Sequence, residues 1–461
     1  MKVHYYLTYN SLCRPMTQLY QHILAMAFAV KDINENPQIL PNITLGFHIY
    51  NSHFSARWTY QASMELLSRR GRFIPNYKCG VKNIPTAVIG GPNSGLCLDM
   101  LVFGSSPMLN INMQAVFIHR MFPDQAQQYE GILQLLQHFN WIWIGVICQD
   151  DNNSERFVHN VLPMFEQKGI CFDFVKRFTK LNVFRGIAAM MAAGLEIIDV
   201  IVRSTANVVI VHGEIHTIME MRVYFKMQGT QEINWSLQFI HGALSFTTHS
   251  KEVLGFHTFL QRKSPSEKED GFIEDFWEEA FNCSFHKFVV DEMERKICTG
   301  AENLETLPTS VFQMSMTGHS YSIYNAVYAI AHALHAMQSL QFKEQTWASR
   351  ERQTFLNQQQ HKVISGMLQH FLRSVSFNNS AGEKVTFDQN GEIVAGFDIM
   401  NWIVFPNQSF QRVKVGKMDA HSLGPPENVF SIQEDIIMWP TRFNQVGSKN
   451  ILGVSNHFLS V

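Results

Sequence analysis

The chain of 461 residues has no long apolar run. Runs such as Trp141–Cys148 reach only about eight to ten residues, where a bilayer-spanning helix needs roughly 18–20. No segment is therefore expected to cross a membrane. An excess of charge is missing too: 37 Lys and Arg against 39 Asp and Glu leave a formal net charge of −2. Without a basic block, nucleic acid is not an expected partner. No cysteine pair is spaced CxxC, which argues against a zinc knuckle or a dithiol redox motif. The first ten residues lack the 7–15-residue apolar core of a secretory leader, and taken alone that points to the cytoplasm.

What is present is a folding composition. Hydrophobic residues make up 46% and charged residues 16%, too apolar and too weakly charged for a disordered tail. Seven cysteines occur. Cys283 and Cys298 flank a polar, charge-rich stretch as a loop-closing disulfide would, and Cys148 sits in an apolar strand as a buried thiol. Six Asn-X-Ser/Thr sequons, at Asn42, Asn152, Asn234, Asn282, Asn378 and Asn407, oppose the cytoplasmic reading. Several fall beside turn signals, where a glycan stays in solvent.

Strand and helix patterns alternate along the chain. Leu19, Ile23, Leu24, Ala27, Val30 and Ile33 recur at helical spacing until Asn36-Pro37. A strand is predicted over 43–50, a helix over 58–67, and a short strand over 87–89 that runs into Gly90-Gly91. Tyr129 to Phe139 marks a helix before the strand Trp141–Cys148, and a further helix runs through Phe157, Val161 and Phe165 to Gly169. A strand at 171–175, a helix over 185–202 and a strand at 208–211 follow. Continuous apolar strands between amphipathic helices mark a parallel sheet covered on both faces. Later, Tyr324, Val327, Ala331, Leu334 and Met337 predict a long helix, 385–392 a hairpin turn, and 410–415 another strand. The fold class is α/β with two doubly wound halves and antiparallel C-terminal strands, and residues after about Pro440 read as an irregular tail.

No enzyme motif stands. His212-Gly-Glu-Ile-His216 keeps the i,i+4 histidine spacing of HExxH, but its glutamate stands one residue too late and the motif follows a strand. Polar residues at a strand-to-helix turn are the preferred reading and a metal site the weaker one. Asp150-Asp151 at the end of a strand reads as a solvated loop or helix cap before it reads as an acid pair. In Gly91-Pro-Asn-Ser94-Gly95 the serine is out of the GxSxG register. No catalytic residue, metal ligand or cofactor is assigned. A binding site fits better. Gly90 and Gly91 follow a buried strand and precede Ser94, where backbone N–H groups and a hydroxyl attract a carboxylate; Ser105 and Ser106 add hydroxyls in a later tight turn.

Four longer stretches carry a resemblance: Tyr20–Pro37 with Leu40–Gly46, Gln134–Gly145, Ser320–His335, and Ser376–Gly391 with Phe397–Asn401. In these the chain resembles the extracellular Venus-flytrap domain of class C G-protein-coupled receptors, and most of all the vomeronasal type-2 group. The resemblance implies a bilobed, periplasmic-binding-protein-like type I fold that closes on a ligand. Lobe 1 would take 1–121 and 247–401, lobe 2 would take 122–246 and 402–440, and 441–461 would be the irregular tail.

The ligand's α-carboxylate and α-amine would meet Gly91, Ser94, Ser105 and Ser106, with Asp150 near the site. His22 stands where glutamate receptors carry Arg, and Asn153 where they carry a cleft Tyr. The distal Lys position falls near Met367. The resemblance therefore implies an amino-acid-related or peptide chemosignal rather than glutamate. It implies a homo- or heterodimer formed through lobe 1, with the apolar faces at 132–139 or 58–67 as candidates. A G protein would be reached only through a seven-helix region that this chain lacks. The parent receptor would lie at the plasma membrane with this part outside the cell. Departures from the pattern predict a truncated product: residues 98–102 are too few for a helix and a strand, 228–238 shows no strand pattern, and residues 1–15 replace the leader and first strand. A soluble, non-signalling binding protein or a non-functional truncated fragment is the alternative, with an α/β metal enzyme using His212, Glu214 and His216 or Asp150-Asp151 ranked behind them.

Overall fold

The computed structural model describes residues 2–7, 17–51, 85–90, 100–102, 119–150, 152–178, 187–213, 240–265, 271–285, 296–345, 368–407, 409–420, 430–440 and 450–454. In chain order these begin with β1 (Lys2–Leu7), α1 (Thr17–Glu35), β2 (Gly46–Asn51), β3 (Pro85–Gly90), β4 (Met100–Val102) and β5 (His119–Arg120). Next come α2 (Gln125–His138), β6 (Trp143–Gln149) and α3 (Asn152–Arg156), which passes through a π turn at Phe157–Val161 into α4 (Leu162–Gln167). Then follow β7 (Cys171–Phe178), α5 (Ile187–Arg203), β8 (Val208–His212), β9 (Leu244–Thr248), α6 (Phe256–Gln261) and α7 (Ile273–Phe281). The remainder is β10 (Cys283–Ser284), β11 (Lys296–Ile297), α8 (Gly318–Gln345), β12 (Ser376–Asn378), β13 (Lys384–Thr386), β14 (Phe397–Val404), β15 (Phe410–Met418), β16 (Phe430–Ile432) and β17 (Asn450–Val454).

The chain divides into two compact units, residues 1–123 with 250–395 and residues 124–249 with 396–461. In the first, five parallel strands run in the order β2-β1-β3-β4-β5. Residues 2–7 are therefore a central strand of this sheet, which corrects the expectation that the first strand is replaced. Likewise 100–102 alone supplies β4. Helix α1 packs against α8. Both are buried over most of their circumference: Tyr20, Ile23, Leu24, Met26, Phe28 and Val30 in α1, and Ile323, Tyr324, Val327, Ile330 and Leu334 in α8. The sequence pattern marks single stripes on these helices, but helices covered on several sides bury residues all round. The disulfide Cys283–Cys298 closes its loop in this unit.

The second unit holds an eight-stranded sheet in the order β16-β15-β14-β9-β17-β8-β6-β7. From β9 to β7 the pairs are parallel, and from β9 to β16 they are antiparallel. The strands β6 and β8 are almost wholly buried, as continuous apolar runs in a parallel sheet must be. Strand β6 begins at Trp143 rather than Trp141, because the Trp141 N–H donates to Leu136 O (2.8 Å) in closing α2.

Three expectations are corrected here. The segment 441–461 is not wholly irregular: β17 pairs with β8 and β9 in the middle of the sheet. Residues 396–401 belong to the second unit, since β14 pairs with β9 and β15. Its buried Asp398 also accepts from His249 Nδ1 (2.7 Å) and Lys414 Nζ (2.6 Å), both in that unit. The apolar face at 132–139 is not exposed as expected, because Ile132, Leu133, Leu135 and Leu136 are buried. The other candidate, 58–67, lies outside the described residues. Among the described residues, no helix is long and apolar enough to cross a membrane.

Candidate functional site

In open α/β sheets ligands sit outside the carboxyl ends of the strands. In the first unit β3 and β4 are parallel neighbours, and Gly90 pairs with Val102. The two strands, which precede Gly91 with Ser94 and Ser105 with Ser106 in the sequence, thus end at the same level. Those four residues themselves lie outside the described residues, as does Met367.

His22, the remaining candidate of this unit, is on α1 and only 4% exposed. Its ring meets His319 of α8 edge to face, with centroids 6.0 Å apart. Burial, and then the neighbouring His319, lower its pKa to about 3. The imidazole is neutral at physiological pH. It cannot replace the permanent charge of an arginine toward a ligand acid. One residue earlier, Gln21 is 1% exposed and ties α1 to the start of α8. Its Nε2 donates to Gln313 O (2.6 Å) and Ser315 O (2.7 Å). Its Oε1 accepts from Thr317 N (3.0 Å) and Ser320 Oγ (2.7 Å).

In the second unit the carboxyl ends of β6 and β8 carry a polar cluster. Asp150 follows β6, is exposed, and donates its N–H to Phe178 O at 2.7 Å. Asn153 lies within α3, and its side chain, like that of Asn152, is not among those described. The next residue, Ser154, is fully buried, with its Oγ 3.3 Å from His212 Nδ1. Tyr129 OH is 3.3 Å from His212 Nε2. Phe157 stacks on the His212 ring at 4.2 Å and 7°. Burial, and then Asp124, push the Tyr129 phenol up to about 12. The cluster holds His212 between two hydroxyls and against an aromatic face, so its ring orientation is set by three neighbours.

A serine and a histidine in contact suggest a nucleophile and base. Here the serine is sealed from solvent and the third group is a neutral phenol, so the arrangement fixes a ring and does not expose a nucleophile. Glu214 and His216, the other members of the histidine motif, fall outside the described residues. Among the described residues no three His, Cys, Asp or Glu side chains cluster as metal ligands would. Ser154, Tyr129, Gln21 and His319 carry no sequence signature, because each acts through a partner far along the chain.

Of the sequons, Asn42, Asn282, Asn378 and Asn407 are exposed. Asn42 and Asn282 adopt positive φ, at 64° and 50°, in turns. Asn234 is outside the described residues.

A sequence profile described as "Receptor family ligand binding region" matches residues 22–404. The mouse vomeronasal type-2 receptor 26 is 29% identical over 459 residues, covering 92% of this chain and 51% of that protein. The human extracellular calcium-sensing receptor is 26% identical over 483 residues, covering 91% of this chain and 43% of that protein. The mouse vomeronasal type-2 receptor 116 is 26% identical over 466 residues, covering 93% and 52%. The chain thus spans about half the length of these relatives. The two α/β units, one with a parallel sheet and one with a mixed sheet, are crossed by the chain three times, in keeping with this match. The chain belongs to the receptor ligand-binding-region family, with the periplasmic-binding-protein-like type I fold of class C receptor ectodomains.

Proposed function

We propose that this chain is the ligand-binding ectodomain of a chemosensory G-protein-coupled receptor, lying outside the cell. It takes an amino-acid-related or peptide ligand at the carboxyl ends of its strands. Binding is its role, and no catalytic step is assigned to it. A ligand that favours one conformation shifts the population toward it, and that shift is the signal. Dimerisation through the first unit and coupling to a G protein through further segments of a longer receptor complete the proposal.

The observation that carries the ligand class is the state of His22. Where glutamate receptors hold a charged arginine, this chain holds a buried ring whose pKa is lowered to about 3. A second acid on the ligand finds no charge on that ring. Neutral amino acids or short peptides are the class that fits, with the α-carboxylate held by Ser94 and the turn of Ser105 and Ser106.

The test is thermal stabilisation by a panel of amino acids and peptides, since a ligand that binds only the folded state raises its melting temperature. At 100-fold excess over Kd the stabilisation is about 2.7 kcal/mol. Ser94→Ala is expected to abolish most of it. Stabilisation by glutamate or aspartate alone, or by no member of the panel, refutes the reading.

A further inference from the structure

We propose that Asn407 carries an N-linked glycan whose first sugar lies against the ring of Phe405. The inference rests on the extracellular reading above. Strand β14 is joined to β15 where Val404 pairs with Phe410 and the Phe405 N–H donates to Ser409 O (2.8 Å). Asn407 Oδ1 accepts from Ser409 N (3.0 Å) and from Ser409 Oγ (2.6 Å). The turn therefore uses the oxygen of the Asn407 amide. The glycosidic bond would use its nitrogen, so the turn and the glycan make no competing demand on the side chain.

The chemistry balances within the secretory route. The Asn407 amide nitrogen bonds to C1 of a sugar presented on a lipid diphosphate. The C1–O bond to the diphosphate breaks, the amide proton passes to a base of the transferase, and the lipid diphosphate leaves. Asn407 is exposed, and Phe405, two residues earlier in the same turn, is 41% exposed. A pyranose ring of the N-acetylglucosamine type presents a face of C–H bonds that packs on an aromatic ring. Burying that ring under the sugar removes apolar surface from water.

The other exposed sequons lack this companion. Two residues before Asn42 stands the buried Leu40, before Asn282 stands Ala280, and before Asn378 stands Ser376. Asn407 is thus the exposed sequon among the described residues with an exposed aromatic ring at that spacing.

The experiment expresses the full chain in mammalian cells behind an added leader peptide and maps glycopeptides from whole-cell lysate, so that retained protein is counted as well. The expected result is a glycan at Asn407. Melting temperatures of the wild type and Ser409→Ala are then compared, with and without Phe405→Ser. Ser409→Ala loses its own bond to Asn407 Oδ1 in both backgrounds. Loss of the glycan should add roughly 2 °C to that cost when Phe405 is present and close to nothing when it is Ser, a difference that isolates the contact. A bare Asn407 overturns the proposal, and equal shifts in both backgrounds overturn the stacking. Because the leader forces entry to the secretory route, either failure counts against this site alone. An unresponsive ligand panel counts against the receptor reading alone.

Discussion

Replacing Gln21 with methionine keeps the length of a 1% exposed side chain while removing both ends of a four-bond junction. Two carbonyls (Gln313 and Ser315), one N–H (Thr317) and one hydroxyl (Ser320) lose their partner together. Each lost bond costs about 1 kcal/mol, and more where the stranded group stays buried. The thioether returns roughly 1 kcal/mol through better apolar burial. The net expectation is a loss of about 3–4 kcal/mol, or roughly 10 °C in melting temperature. Chemical denaturation followed by tryptophan fluorescence measures it. The double variant Gln21→Met with Ser320→Ala should cost less than the sum of the two single ones, because their shared bond is counted in both, while the bond that Ser320 Oγ accepts from Thr317 Oγ1 (3.0 Å) is lost in either background. Gln21→Glu should be worse than Met at pH 7, where a carboxylate would face two carbonyl oxygens. It should recover as pH falls, since protonation restores a donor. A loss below about 1 kcal/mol for Gln21→Met, or full additivity with Ser320→Ala, refutes the junction.

Three further outcomes are expected. Converting Cys283 and Cys298 to serine opens a loop with a sequence separation of 15 and should cost about 3 kcal/mol, read by denaturant titration. The His22 ring, with its pKa lowered from 6.5 to about 3, should stay neutral in NMR titrations down to about pH 4. The neutral ring's contribution to stability is complete above about 6.5 and is lost as pH falls from there through about 3. A His22 midpoint near 6.5 would contradict its burial. Gly131→Ala gains about 1 kcal/mol of helix propensity, yet its new Cβ would sit 2.5 Å from Met418 Sδ and 2.8 Å from Phe246 Cε1. The Phe246 ring is 1% exposed and has little room to yield. Overpacking of about 1–3 kcal/mol should therefore win, and calorimetry showing stabilisation would count against that close approach.

Local pattern made several elements legible. The 3.6-residue periodicity of α1 and α8 and the apolar runs of β6 and β8 are properties of contiguous residues, and so is the turn at Asp388–Gly391, where Asp388 Oδ1 accepts from Asn390 N and Glu392 N. The Cys283–Cys298 closure was legible because it joins two residues across one short loop. Residues 2–7 and 450–454 were misread because a short strand has no local mark of centrality. Each becomes a central strand only when neighbours from distant parts of the chain pair with both its edges.

The candidate site divides in the same way. The sequence by itself determined the α/β class, the disulfide loop and the family, since these depend on periodicity and on long contiguous matches. Only the tertiary structure decided that His22 is buried and neutral, and that Gln21 joins residues nearly 300 positions away. It likewise decided that His212 is held by Ser154 and Tyr129. The protonation of a ring and the partner of an amide depend on the dielectric and the donors around them. Those surroundings are assembled from segments that share no neighbourhood in the chain.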